Sequence, residues 1–278
     1  MTTWELSSIL VGASAGAGFL GSLTGLGGGI IVIPLLTIVL GVDIRYAVGA
    51  SLVSVIATSS GAAAAYVREG FSNIRIGMFL EVATTLGALG GAVLALHLGP
   101  SVIAVVFGLM LLYSAAVTFR TRSGANAGIP PDRLATRLRL NGSFPVPEGT
   151  RQYNVRNVPA GFSLMALAGV LSGLLGIGSG ALKVIAMDRV MRIPFKVSTT
   201  TSNFMIGVTA AASAGVYLHR GYIDPVLALP VMVGVLGGSL LGARLLTTAD
   251  TRTLRIVFAV AITGIGVEMI IKGFTGRM

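Results

Sequence analysis

LSGLLGIGSGALK, residues 171–183, has a second copy in this chain. Residues 20–32 read LGSLTGLGGGIIV, and the two stretches align without a gap at an offset of 151, so that Gly25, Gly27 and Gly29 fall on Gly176, Gly178 and Gly180. The match runs well past the glycines. At the same offset Ser51 falls on Ser202, Thr58 on Thr209, Tyr66 on Tyr217, Gly70 on Gly221, Gly87 on Gly238 and Gly91 on Gly242. The chain reads as an internal duplication: residues 1–120 and 158–278 form two homologous halves, joined by a basic linker at 121–157.

Composition sets the environment of those halves. Of the 278 residues, 54% are apolar and 11% charged, and the mean hydropathy is +0.87. That exceeds the apolar share of a soluble domain and predicts an all-α integral membrane protein whose first partner is the lipid bilayer. The formal charge of +10 does not point to nucleic acid, because the basic residues lie in the gaps between apolar runs, where membrane topology is encoded. There is no cysteine, which excludes disulfides, thiolate metal sites and cysteine-based sulfur chemistry. Glu5 is the only charge in the first eight residues, so no signal peptide is expected.

Residues 6–40 carry no charge and are interrupted midway by TGLGGG. As one straight helix they would run about 50 Å, against a hydrocarbon core of about 30 Å. A hairpin that enters the membrane and turns back fits better. Glycine-rich backbone cannot face lipid with unpaired N–H and C=O groups, so the break must be buried in protein or line a wet cavity. Three uninterrupted spans follow at 46–67, 76–98 and 101–119. After the proline-containing basic stretch at 120–156 the plan repeats, with a broken segment at 158–190 and spans at 197–218, 226–246 and 254–271.

Charge placement tests the hairpins. If each broken segment returns to its own side, 15 basic residues collect on one face and 4 on the other; if each crosses, the division is 12 against 7. The positive-inside rule prefers the first arrangement, in a cell membrane with the linker cytoplasmic and both termini outside. Each half then makes three net crossings and the halves are inverted repeats, each a glycine-broken re-entrant hairpin plus three transmembrane helices. Inverted repeats with broken segments meeting near the midplane are a plan for a transport pathway, with the breaks marking its site.

The chemistry expected there is anion binding. A short helix restarts after each glycine turn, near Ile30 and Ala181, and its unpaired N–H groups favour negative charge. The candidate tip residues are Gly27, Gly28 and Gly29 in the first half, with Gly178, Ser179 and Gly180 in the second. Lys183 lies just beyond the second tip and reads as the counter-charge of an anion; the other reading is a shallow hairpin from which it snorkels to an interface. Ser51, Ser202, Thr201 and Asn203, near the start of the helix after each hairpin, can hydrogen-bond oxyanion oxygens, or can simply bond between helices. Glu81 carries a coupling proton or pairs with Arg75 at the cytoplasmic interface. No carboxylate pair, histidine cluster or nucleophile–base arrangement is visible, so neither an enzyme nor a metal or other cofactor is expected.

GLGGGIIVIPLL and GIGSGALKVIA, each followed by a small-polar helix start (GASL, TTSN) and a helix end reading YVREG or YLHRG, make the chain resemble the sulfite exporter TauE/SafE family of permeases. The resemblance spans both halves. It implies a polytopic permease moving a sulfur-containing or organic anion such as sulfite or a sulfonate. Protons are the candidate coupling ion on the reading of Glu81 given above. Ser179 and the lack of a counterpart to Pro34 set the second copy apart. A passive anion channel is the alternative within the same class, and a membrane scaffold docking through the linker lies outside it; a permease should tolerate deletion of residues 125–150.

Overall fold

Backbone placed in hydrocarbon must satisfy its own hydrogen bonds, and this chain does so by forming helix almost throughout. The computed structural model describes residues 3–24, 29–68, 72–119, 132–146, 149–245 and 251–276. In the first half these are α1 (Thr3–Thr24), α2 (Gly29–Pro34), which runs on into a π-helical turn at Leu35–Val39, α3 (Ile44–Arg68), α4 (Ile74–His97) and α5 (Pro100–Phe119). The second half comprises α7 (Val158–Leu175), α8 (Gly180–Ile185) with a π-helical turn at Ala186–Val190, α9 (Phe195–His219), α10 (Pro225–Leu245) and α11 (Thr251–Thr275). The second over-long apolar segment is interrupted between α7 and α8, where Gly176 and Gly178 fall; in the first, residues 25–28 between α1 and α2 lie outside the described residues. At the offset of 151 residues α2 maps onto α8, the π-helical turns onto each other, and α3 onto α9, end for end. Even the left-handed residue closing each turn is matched, Gly41 at φ +64° by Arg192 at φ +60°.

The halves interlock reciprocally. α1 packs on α10 as α7 packs on α4, while α5 pairs with α11 and α3 with α9. Single residues carry the same relation: Gly87 lies against the carbonyl of Ala166, and its counterpart Gly238 against the carbonyl of Ala15. A side chain at either glycine would run into that carbonyl, so only small residues let these backbones approach. The outer faces are apolar too, with Met78, Val82, Leu86 and Val93 exposed on α4 and Val226, Leu229, Val233 and Leu240 exposed on α10. Such a surface is unfavourable in water and suited to lipid. By length and composition, α4 and α7 are long and apolar enough to cross a membrane.

Part of the linker is folded. A short helix α6 (Arg133–Arg137) precedes an antiparallel hairpin of β1 (Gly142–Val146) and β2 (Gly149–Tyr153), with Gly142 opposite Tyr153. Ala135, Leu140, Tyr153 and Val155 are buried in one cluster with Ile76 and Leu80 of α4 and Met187, Met191 and Ile193 beyond α8. Polar bonds tie it to both halves: Asn73 Nδ2 donates to Tyr153 Oη at 2.7 Å, Arg75 Nη1 to the Arg139 carbonyl at 3.2 Å, and the Arg156 amide to the Met191 carbonyl at 3.0 Å. Burial pushes the Tyr153 phenol up, against the opposing effect of the Asn73 bond, so it stays a neutral hydroxyl. Deleting residues 125–150 would therefore take Ala135, Leu140 and a whole strand out of a packed core, contrary to the tolerance expected from the sequence.

Candidate functional site

The second break is held in a conformation that few residues accept. Gly176 and Gly178 have φ of +66° and +71°, and Ser179 between Gly178 and α8 has φ +42°. A side chain at such a φ is strained. Here Ser179 Oγ donates to the Ala168 carbonyl at 2.7 Å, which ties the turn to α7. Ser51 of α3 donates to the Gly176 carbonyl at 2.9 Å, so a hydroxyl of the first half supports the break of the second. Ser202 of α9 donates to the Gly180 carbonyl at 3.3 Å. Gly29 closes the arrangement: a side chain there would meet Ser51 Oγ at 2.6 Å and the Gly176 carbonyl at 3.5 Å. The start of α2 and the second break are thus neighbours in space.

Each sequence candidate now has a place. Gly29, Gly178, Ser179, Gly180, Ser51 and Ser202 converge on the second break, where Ser51 and Ser202 donate to the Gly176 and Gly180 carbonyls and Ser179 donates to the Ala168 carbonyl of α7. Gly27 and Gly28 lie outside the described residues. Thr201 is not at the breaks: its Oγ1 accepts from the Asn73 amide at 3.0 Å, at the connection between α3 and α4. Asn203 is half-buried on α9.

Lys183 does not snorkel. It is fully buried, and its Nζ donates to Thr209 Oγ1, 2.5 Å away, just past the middle of α9. Side chains on a helix lean toward its N-terminus, which carries the ammonium back toward the break and away from the helix end. Thr209 in turn donates to Glu81 Oε1 of α4 at 2.6 Å, and Thr85 Oγ1 donates to the same oxygen at 3.1 Å. Glu81 is 8% exposed and its Oε2 has no hydrogen-bond partner. The pairing of Glu81 with Arg75 weighed above is not formed; Arg75 is turned to the linker carbonyl of Arg139. Three elements therefore set a buried cation and a buried carboxylate on either side of one neutral hydroxyl.

Thr209 is the residue that sequence reading passed over as a site. Its signal was present: it matches Thr58 in the repeat and lies seven residues after Ser202, hence on the same face of α9. The cluster joins the two halves, with Glu81 from the first and Lys183 and Thr209 from the second, and the repeat gives it no second copy, since the counterparts of Lys183, Glu81 and Thr209 are Val32, Met232 and Thr58. Thr58 spends its hydroxyl on the Ser54 carbonyl of its own helix, at 3.0 Å. Charges in hydrocarbon are costly enough that an asymmetric pair of them marks function ahead of architecture.

The sequence model of the family described as Sulfite exporter TauE/SafE matches residues 10–269, from α1 into α11. This chain belongs to the TauE/SafE family. Its relatives within bacteria include the probable membrane transporter protein YunE of Bacillus subtilis strain 168, 27% identical over 273 residues that span 95% of this chain and 97% of the relative. The probable membrane transporter protein YjnA of the same organism is 29% identical over 278 residues, 96% of this chain and all of the relative, and a probable membrane transporter protein of Xylella fastidiosa strain 9a5c is 26% identical over 94% of each. No solved structure matches. A TauE/SafE protein matched over nearly its whole length is a membrane transporter, and the match includes both breaks and the Lys183 cluster.

Proposed function

We propose that this TauE/SafE protein is a secondary transporter for a small sulfur-containing or organic anion, such as sulfite or a sulfonate, working by alternating access in the cell membrane. The observation that carries this reading is the Lys183 ammonium, fully buried next to a glycine break in a chain of this family. A buried cation in a membrane protein needs a counter-charge, and a small anion supplies one. The anion is held between the two hairpin tips, by amide N–H groups around Gly178 to Gly180 and by Lys183, with Asn203 as a further donor. Ser51, Ser202 and Ser179 keep the tips in shape. The reciprocal packing of α1 on α10 and α7 on α4 fits two repeats related by a pseudo-two-fold axis, which we read as inverted, and the distribution of basic residues is the ground for a cytoplasmic linker and outer termini.

The test is thermal unfolding of the detergent-solubilised protein with sulfite, sulfate, thiosulfate, sulfoacetate, taurine and chloride. A ligand at a hundred times its dissociation constant stabilises by about 2.7 kcal/mol. One sulfur oxyanion should raise the melting temperature of the native chain, and the rise should vanish in Lys183→Met combined with Glu81→Gln, which leaves no unpaired buried carboxylate. The same rise in the double variant would remove Lys183 from the site.

A further inference from the structure

Glu81 has one oxygen engaged by two threonine hydroxyls and the other, Oε2, buried with no partner. Among the described residues, Lys183 is the charged side chain that lies by it. On α4 itself, Arg75 is turned to the linker and His97 is at the far end, bonded to the Val93 carbonyl. α7, packed along α4, has no titratable residue. On α9, Lys196 and His219 are exposed near the ends, and Tyr217 is hydrogen-bonded to the Leu174 carbonyl. Beyond α8, Asp188 and Arg189 lie on the π-helical turn, where Asp188 is half-buried and Arg189 exposed. The linker brings Arg139 and the neutral phenol of Tyr153, both engaged with the start of α4. Glu81 therefore has Lys183 as its charged partner among the described residues, and the two share Thr209.

We propose that Glu81 is the proton-coupling group of this transporter: a proton on its carboxylate frees the Lys183 ammonium to take an anion, so that one proton and one anion are bound together. The proposal rests on the anion reading above. With Glu81 ionised, the ammonium is compensated through Thr209 and an anion adds an uncompensated negative charge to a buried site. With a proton on Glu81, lysine and anion balance each other. The proton comes from water on the open side, bonds to Glu81 Oε2, and returns to water on the other side, while Lys183 keeps its own protons throughout. Net charge in the site is zero both empty and loaded, which lets the protein change conformation in either state without carrying a bare charge through hydrocarbon.

Linkage makes this measurable, since a proton that favours the anion is favoured by it equally. The probe is isethionate, a strong-acid sulfonate that keeps a single charge at all working pH values. Its affinity for the native protein should rise as pH falls, by about tenfold per pH unit while Glu81 is mostly ionised, as one proton per anion requires. In Glu81→Gln, which mimics the protonated carboxyl and still accepts from Thr209, affinity should be flat with pH and equal to the native value at the acid limit. A Glu81→Gln protein that keeps the native slope overturns the proposal. Infrared spectra without any anion provide an independent arm: a protonated-carboxyl band that titrates in the native protein and is missing in Glu81→Gln supports the proton site. A native protein with no such band, or the same band in the variant, overturns it. Absence of isethionate binding at every pH together with a Glu81-dependent band would fault the anion reading and leave the proton site standing.

Discussion

Ser51 shows how much of a site consists of hydroxyls that hold backbone in place. Its proton goes to the Gly176 carbonyl at 2.9 Å, in a break where no helical partner exists for that oxygen. Replacing it by alanine leaves a buried acceptor unpaired, at about 1–3 kcal/mol. Ser202, with a longer bond of 3.3 Å to Gly180, should lose less. Melting temperatures of Ser51→Ala and Ser202→Ala check that order, and equal losses would mean that the longer bond supports its break as firmly as the shorter. At this scale the sequence was legible wherever a residue type broke a local rule. A lone lysine in an uncharged segment, glycines in the middle of over-long helices and a serine in place of a glycine each marked a real feature. What it could not reveal was which groups meet. Thr209, Glu81 and Lys183 are 26 to 128 residues apart in the chain, and their contact depends on how α4, α8 and α9 are set against one another.

Elements repeat more faithfully than residues do. α3 and α9 begin and end at equivalent positions although few of their side chains agree, and the π-helical turns after α2 and α8 match although Pro34 occurs in only one. Proline therefore does not cause the π-helical turn. Helix contacts obey the same relation, and that makes a prediction proper to this scale. Gly87→Val and Gly238→Val each push a side chain into the carbonyl of the packed helix, so both should destabilise by about 1–3 kcal/mol, measured as loss of folded protein on heating in detergent. A large effect at one and none at the other would mean that the two interfaces are not equivalent. The spans and the break between α7 and α8 were readable from apolar run lengths, which hydrocarbon dictates. The β-hairpin of the linker was not. Its strands are five residues each, one contains Pro145, and β2 shows no apolar alternation, so their pairing depends on the α4 and Met191 surfaces they cover.

Across the whole molecule, a reciprocally packed scaffold holds an asymmetric pair of charges. The reciprocal packing of the two halves is the scaffold on which the proposed alternating access rests. The Lys183–Thr209–Glu81 cluster, which joins α8 and α9 of the second half to α4 of the first, is the site the proposed function uses. The folded linker grips the start of α4 and the return from α8, so it links the two halves. The direct measurement is counterflow in proteoliposomes: vesicles loaded with an unlabelled sulfur oxyanion from the panel, diluted into the labelled anion. The native protein should take up label against its gradient, with a rate that saturates, and the Lys183→Met and Glu81→Gln double variant should not exceed protein-free vesicles. Flux of the native protein that grows linearly with concentration and shows no counterflow would mean a channel. No flux for any anion, or full counterflow without Lys183, would contradict the account.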